Sequence, residues 1–330
     1  MTFLNTYYRF KPLIPRRLQL CIRRLVAARK RSINKAVWPI DPEAGRIPSG
    51  WTGWPGNKQF ALVLNHDVDT ARGRDKCGFL MEIERSLGFH SSFFFVPEGY
   101  ADAPELRSGL ERNGFEVGVH GLRHDGKMFN SRKIFEERAR CINEYLKGWG
   151  AMGFSSPSMH RKLDWMGALD ITYDISTFDT DPFEPQPEGV KTIFPFWVPS
   201  HGKERGFVEL PYTLPQDHCL FIILRESDNR LWKEKLDWIA AKGGMALLNS
   251  HPDYMNFGRR TLDREEYPVA HYSEFLNYVK IRYEGRYWHP LSREMAAFWE
   301  ARFRSAKPAD EAMSALRADA SQIPDPIVSG

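Results

Sequence analysis

The chain has 330 residues, 42% hydrophobic and 13% aromatic, enough for the core of one large α/β barrel or two average domains. No apolar run approaches the roughly 18 residues of a membrane-spanning helix. Residues 1–20 also lack an apolar stretch followed by a small-residue cleavage site, so neither a span nor a secretory signal is expected. The net charge of +4 conceals a division: residues 1–40 hold ten Lys/Arg and no Asp or Glu, and the remaining 36 basic residues face 42 acidic ones.

The sequence therefore reads as a mildly acidic globule with a basic arm over residues 1–40. After Pro12 and Pro15 a helix is predicted over about Arg16–Ile33. On a helical wheel Leu18, Cys21, Ile22, Leu25 and Val26 fall on one arc. Arg16, Arg17, Arg23, Arg24, Lys30 and Arg31 fall opposite, with Arg29 the exception. Such a helix can rest on anionic lipid through its apolar face. The plainer arrangement packs it on the body with a solvated basic face. An arm without a recognised nucleic-acid fold gives no reason to expect nucleic acid as a partner.

Residues 41–58, rich in Pro, Gly and Trp, read as a linker or lead-in loop. Strands and helices then alternate. Phe60–Asn65 is a predicted strand, Asp75–Leu87 a helix, Ser92–Val96 a strand and Pro104–Asn113 a helix. Phe115–Val119 is a strand and Ser131–Lys147 a helix, followed by a weaker strand–helix unit over Gly153–Ala168. Strands are expected at Ile171–Ser176, Thr192–Val198, Val208–Leu210, Leu220–Leu224 and Met245–Asn249. Helices are expected at Leu231–Lys242, 271–284 and 291–304. Alternation implies a parallel sheet, and the number of units suits a closed or nearly closed barrel over residues 59–305, with a frayed tail at 306–330.

Three strand ends carry chemistry. Asp67 and Asp69 follow the run Ala61–Leu64 and share a side if the strand continues; an ordinary loop pair capping the next helix is the alternative. His120 and His124 follow Phe115–Val119, and an i, i+4 pair on a helical turn can reach one ion. His251 leaves the strand Met245–Asn249, where an imidazole can serve as general acid. Two imidazoles and one carboxylate can hold a divalent ion, leaving a second carboxylate to take a proton from the attacking water. The ligand types favour zinc. Scattered cysteines (Cys21, Cys77, Cys141, Cys219) without a Cys-x-x-Cys suit reduced thiols in the cytoplasm.

Over roughly residues 58–255 the chain resembles the NodB-homology polysaccharide deacetylases, carbohydrate esterase family 4. His66-Asp67-Val68-Asp69 is similar to the first family motif in an Asp-x-Asp variant, and His120-Gly-Leu-Arg-His124 to the second. Ser92-Phe-Phe-Phe-Val96 resembles the Phe-rich second strand, and Leu248-Asn-Ser-His251-Pro252 the last motif. The resemblance implies an irregular (β/α)7 barrel in which Asp67 is the catalytic base, Asp69, His120 and His124 bind the metal, and His251 is the general acid. Two positions depart from the pattern. Ser155 stands where the family carries an arginine that orients the base, and Arg161 or His160 is the expected substitute. In the stretch Tyr173–Pro182, Asp179 or Asp181 is the expected partner of His251, or else part of an ordinary Asp/Pro turn.

The implied reaction is metal-assisted hydrolysis of an N-acyl group on an amino sugar. The expected substrate is a lipid-linked or nucleotide-linked sugar at the inner face of the membrane. A non-sugar amide or imide is the alternative within hydrolases, and a catalytically silent glycan-binding module the alternative outside them.

Overall fold

A computed structural model describes residues 15–200, 206–258 and 261–302. At its centre lies β1, Phe60–Val68, buried along its whole length. Its opening Phe-Ala-Leu-Val-Leu run has no polar face to leave in water, as a strand covered on both sides requires. One edge of β1 pairs in parallel with β8 (Met245–Ser250). The other edge pairs in parallel with β2 (Ser92–Phe95) and, lower down, with β9 (Tyr287–Trp288).

From β2 the sheet runs in parallel through β3 (Glu116–His120), β4 (Gly153–Ser155) and β5 (Tyr173–Asp174) to β7 (Phe207–Glu209). There β6 (Phe196–Val198) adds an antiparallel edge. Beyond β7 the chain reaches β8, where the amides of Thr213 and Leu214 both donate to the Leu247 carbonyl at 3.0 Å. The parallel-dominated nine-stranded sheet thus curls into the expected irregular (β/α) barrel. No described helix is long and apolar enough to cross a membrane.

Helices cover the outside. They are α1 (Arg16–Ile33), the short α2 (Ala71–Arg74), α3 (Cys77–Leu87), α4 (Pro104–Arg112), α5 (Arg132–Trp149), α6 (Leu163–Met166), α7 (Arg230–Lys242), α8 (Ala270–Tyr283) and α9 over residues 292–302. The N-terminus of α9 plugs the lower mouth of the barrel. Ser292 donates from Oγ to Asn65 Oδ1 at 2.7 Å, and the Arg293 amide donates to Glu116 Oε2 at 3.1 Å. Free amides of a helix start and a carboxylate satisfy each other there.

Three sequence expectations change. The predicted strand Leu220–Leu224 is instead a π-helical turn, His218–Ile223, opened by Asp217, whose side chain accepts from the His218 amide. A short apolar run that is buried all round has no periodicity to separate strand from helix. Residues 41–58 are a packed lead-in rather than a free linker: Ala44 and Trp54 are buried, the Ala44 carbonyl accepts from the Ile193 amide, and Trp54 Nε1 donates to the Gly243 carbonyl at 2.8 Å.

The basic arm, in its described part, is docked, and docked in the opposite sense to the expected one. Its basic arc faces the body except at Arg17, which is exposed. Arg24 donates to the Ile222 carbonyl, Lys30 to the Pro182 carbonyl at 2.7 Å, and Arg31 and Arg16 pair with Glu226 and Glu265. Leu20 and Ala27 are buried on that face, while Leu18, Cys21, Leu25 and Val26 of the apolar arc are exposed and Ile22 is half-buried. Charge explains the inversion: ion pairs to a net acidic body outweigh the modest apolar contact the other arc would bring. Residues 1–14 and the tail at 306–330 lie outside the described residues.

Candidate metal centre

β1, β3 and β8 run towards one mouth of the barrel, and each delivers part of the site. In β1 alternate residues face opposite ways. His66 faces outward and is fully buried under the helices, held by Ser250 Oγ at 2.9 Å and Glu84 Oε1 at 2.7 Å. It ties strand to helix and takes no part in the site. Asp67 faces inward and is buried. Its Oδ2 accepts from Asn249 Nδ2 at 2.7 Å, while Oδ1 has no hydrogen bond. Asp69 lies just past the strand, fixed by its amide donating to Asp253 Oδ2 at 3.0 Å.

His120 is the last residue of β3, and the chain then turns back to His124. The pair does not sit on a helical turn as its spacing suggested. The turn is made at Gly121, with φ +62°, where a Cβ would come within 2.7 Å of the Pro157 ring. Glycine alone is free of that clash and of the left-handed strain. The turn brings the two imidazole rings to 5.6 Å between centroids.

Nε2 of His120 and Nε2 of His124 lie 3.3 and 3.4 Å from Asp69 Oδ1. Two ligands about 2.1 Å from one tetrahedral ion sit about 3.4 Å apart, so the three atoms are spaced to share a cation. The hydrogen-bond inventory points the same way: Asp69 Oδ1 and His120 Nε2 are buried without a hydrogen-bond partner. His120 Nδ1 donates to the Ser155 carbonyl at 3.2 Å, which leaves Nε2 as the lone-pair atom facing the site. His124 is partly exposed, so the site opens on its side. Burial works against a charge on Asp69, but His124 and His120 outweigh it and hold the carboxylate well below its usual range.

His251 leaves β8 at the same mouth. Its Nδ1 lies 2.7 Å from Asp217 Oδ1, its amide donates to Asp217 Oδ2 at 2.9 Å, and Tyr267 donates to the same oxygen at 3.0 Å. Burial disfavours the imidazolium, yet the Asp217 carboxylate overrides it and lifts His251 to about 10. Tyr254 completes the wall. Its ring lies 5.3 Å from His251 and 4.8 Å from His218, and its hydroxyl 3.4 Å from Asp69 Oδ2.

Asp67, Asp69, His120, His124 and His251 are thus gathered at one end of the barrel. Arg161 is not among them. Its guanidinium donates to the carbonyls of Met159 and Glu188 and lies 4.8 Å over the Phe178 ring, so it does not orient Asp67; Asn249 does. No hydrogen bond joins His160 to Asp67 either; what Asp67 Oδ1 meets is His120 Nδ1 at 3.4 Å. Asp179 pairs with Lys235 at 2.9 Å, and Asp181 accepts from Tyr212 at 2.9 Å, so neither holds His251. That partner, Asp217, was hidden because the following apolar run read as a strand. An Asp-His pair two residues after Pro215 was the available signal, in the position of a helix cap.

No family model matches the chain, and no curated protein does. Solved structures do. A Mycobacterium smegmatis structure described as a polysaccharide deacetylase aligns over 78% of this chain and 95% of its own, at 16% identity and TM-score 0.59. A Pseudomonas aeruginosa PAO1 structure of the same description aligns over 80% and 95%, at 15% identity and TM-score 0.57. The Puue allantoinase aligns over 80% and 98%, at 16% identity and TM-score 0.60. The fold is therefore the NodB-type barrel of polysaccharide deacetylases, as the sequence motifs led us to expect.

Proposed function

We propose that this protein is a metal-dependent hydrolase that removes an N-acyl group, acetyl in the first instance, from an amino sugar in surface-polysaccharide metabolism. The observation that carries the reading is the Asp69–His120–His124 cluster with the unliganded carboxylate of Asp67 beside it. Imidazoles with one carboxylate favour zinc. Such an ion supplies Lewis acidity, polarising the acyl carbonyl and making water nucleophilic at neutral pH.

The chain's own groups do the rest. Asp67, with one oxygen free, accepts a proton from the attacking water, and Asn249 keeps it aimed. His251, kept protonated by Asp217, donates to the departing nitrogen, so the leaving group is a neutral amine. The barrel fold shared with two structures described as polysaccharide deacetylases supports the sugar amide as substrate. Four free cysteines, two of them exposed, support a cytoplasmic location.

Metal analysis of wild type beside His124→Ala is the primary test. About one ion per chain in wild type, lost in the variant, is expected; no metal in either removes the proposal. Acetate release from N-acetylhexosamine donors then tests the substrate. The similarity to an allantoinase and the serine at position 155 favour a non-sugar amide or imide as second reading. Ammonia or formate release from small amides, with no acetate from sugars, would select it. Glycan binding that survives Asp67→Ala, without turnover in wild type, would select a silent module.

A further inference from the structure

The helix α1 carries its charge inward and its apolar side chains outward. Leu18, Leu25, Val26 and Ile33 are 51, 68, 44 and 70% exposed, with the exposed Cys21 among them. All share one face of a single helix. A helix that merely covers a body presents the reverse pattern, and an ordered apolar row on a surface marks a contact.

Around this row the exposed charges have one sign. Arg17 and Arg29 flank it and Lys35 follows it; all three are exposed and make no ion pair among the described residues. The segment 1–40 contains no acidic residue at all. Beside the C-terminal half of α1 a notch of about 320 Å³ is lined by Ala28, Arg31, Ser32, Lys35, Trp38 and Pro39. Arg31 is paired with Glu226 and Trp38 is buried, so Lys35 is the exposed cation this notch offers to a lipid phosphate.

We propose that the outward face of α1 is a docking surface for an anionic lipid bilayer, with the aliphatic row entering the headgroup–acyl boundary and Arg17, Arg29 and Lys35 meeting lipid phosphates. A second copy of the chain is the poorer occupant. It would press two segments together that each carry ten cations and no anion. A bilayer matches both features at once.

The placement has a consequence for the site. The inner face of α1 binds the turn His218–Ile223 through Arg24 and the Ile222 carbonyl. The ring of His218 in that turn packs at a tilt against Tyr254, whose hydroxyl reaches Asp69. A membrane on the outer face of α1 therefore lies along the side of the barrel that holds the metal centre. This part rests on the proposed hydrolase reading and favours an amide-bearing sugar carried on a lipid; lipid docking itself does not rest on it.

The test is co-sedimentation of the full chain with vesicles of equal phosphatidylcholine and phosphatidylglycerol, beside vesicles of phosphatidylcholine alone. Wild type is expected to sediment with the anionic vesicles and to be released as salt is raised. The double variant Leu25→Glu/Ile33→Glu should lower partitioning at least about tenfold. Both side chains are exposed, so its circular dichroism and melting should match wild type. Arg17→Glu/Arg29→Glu should weaken binding to the anionic vesicles alone. The proposal falls if wild type ignores anionic vesicles, or if Leu25→Glu/Ile33→Glu binds as well as wild type. It also falls if sedimentation velocity finds a wild-type dimer that this variant dissociates, which would assign the face to a second copy. Binding is read without turnover, so an inactive protein that sediments, or an active one that does not, separates this proposal from the hydrolase reading.

Discussion

Asp67 and Asp69 are two residues apart and take different roles in the proposed reaction because their surroundings differ. Asp69 lies against two imidazoles, whereas Asp67 meets the amide of Asn249 and keeps one oxygen free. Asp67→Asn should therefore retain the metal and lose roughly 10²–10⁴ in turnover. Metal content and acetate release measured on one preparation check both halves, and near wild-type turnover would remove Asp67 from its role. Asp217 acts through His251. A general acid must carry its proton, and the neighbouring carboxylate keeps His251 protonated up to about 10. Asp217→Asn removes that support, so the imidazole pKa falls. The alkaline limb of the rate profile should move to lower pH, while metal content stays unchanged. A profile that stays in place would leave Asp217 a purely structural residue.

At the scale of elements, regular patterns were legible and irregular ones were not. α1 was predicted at the bounds it has, and β1, β2, β3 and β8 within a few residues, because buried strands read as continuous apolar runs and amphipathic helices show their period. The face by which α1 docks was not legible. An amphipathic wheel has two sides, and which one meets the body depends on the acidic carbonyl-rich surface that Glu226, Glu265, Pro182 and Ile222 assemble from distant stretches. The segment 41–58 misled in a similar way. Its Pro and Gly content reads as a linker, yet Trp54 stacks among Phe194, Trp288 and Phe298 and closes the barrel's flank. Trp54→Ala should cost about 3 kcal/mol or more, read as a lowered midpoint in denaturant melts. A loss near zero would return the segment to the status of a linker.

For the whole molecule, the proposed metal centre is the point where three separated strand ends converge, so ion binding there would be linked to folding. A ligand held only by the native state stabilises it by about 2.7 kcal/mol at a hundred times its dissociation constant. Chelation should lower the melting temperature of wild type and leave that of His124→Ala unmoved; equal responses would detach the cluster from metal binding. By itself the sequence determined the alternation of strands and helices, the closure into a barrel and the identity of the two Asp and three His at strand ends. These are local properties, set by side-chain period and by where an apolar run stops. Only the tertiary structure decided the second layer: Asn249 on Asp67, Asp217 on His251, the dismissal of Arg161, and the outward turn of the apolar face of α1. Each depends on a partner that is far away in the chain and near in space. Asn249 and Asp67, 182 residues apart in the chain, meet because β8 lies beside β1.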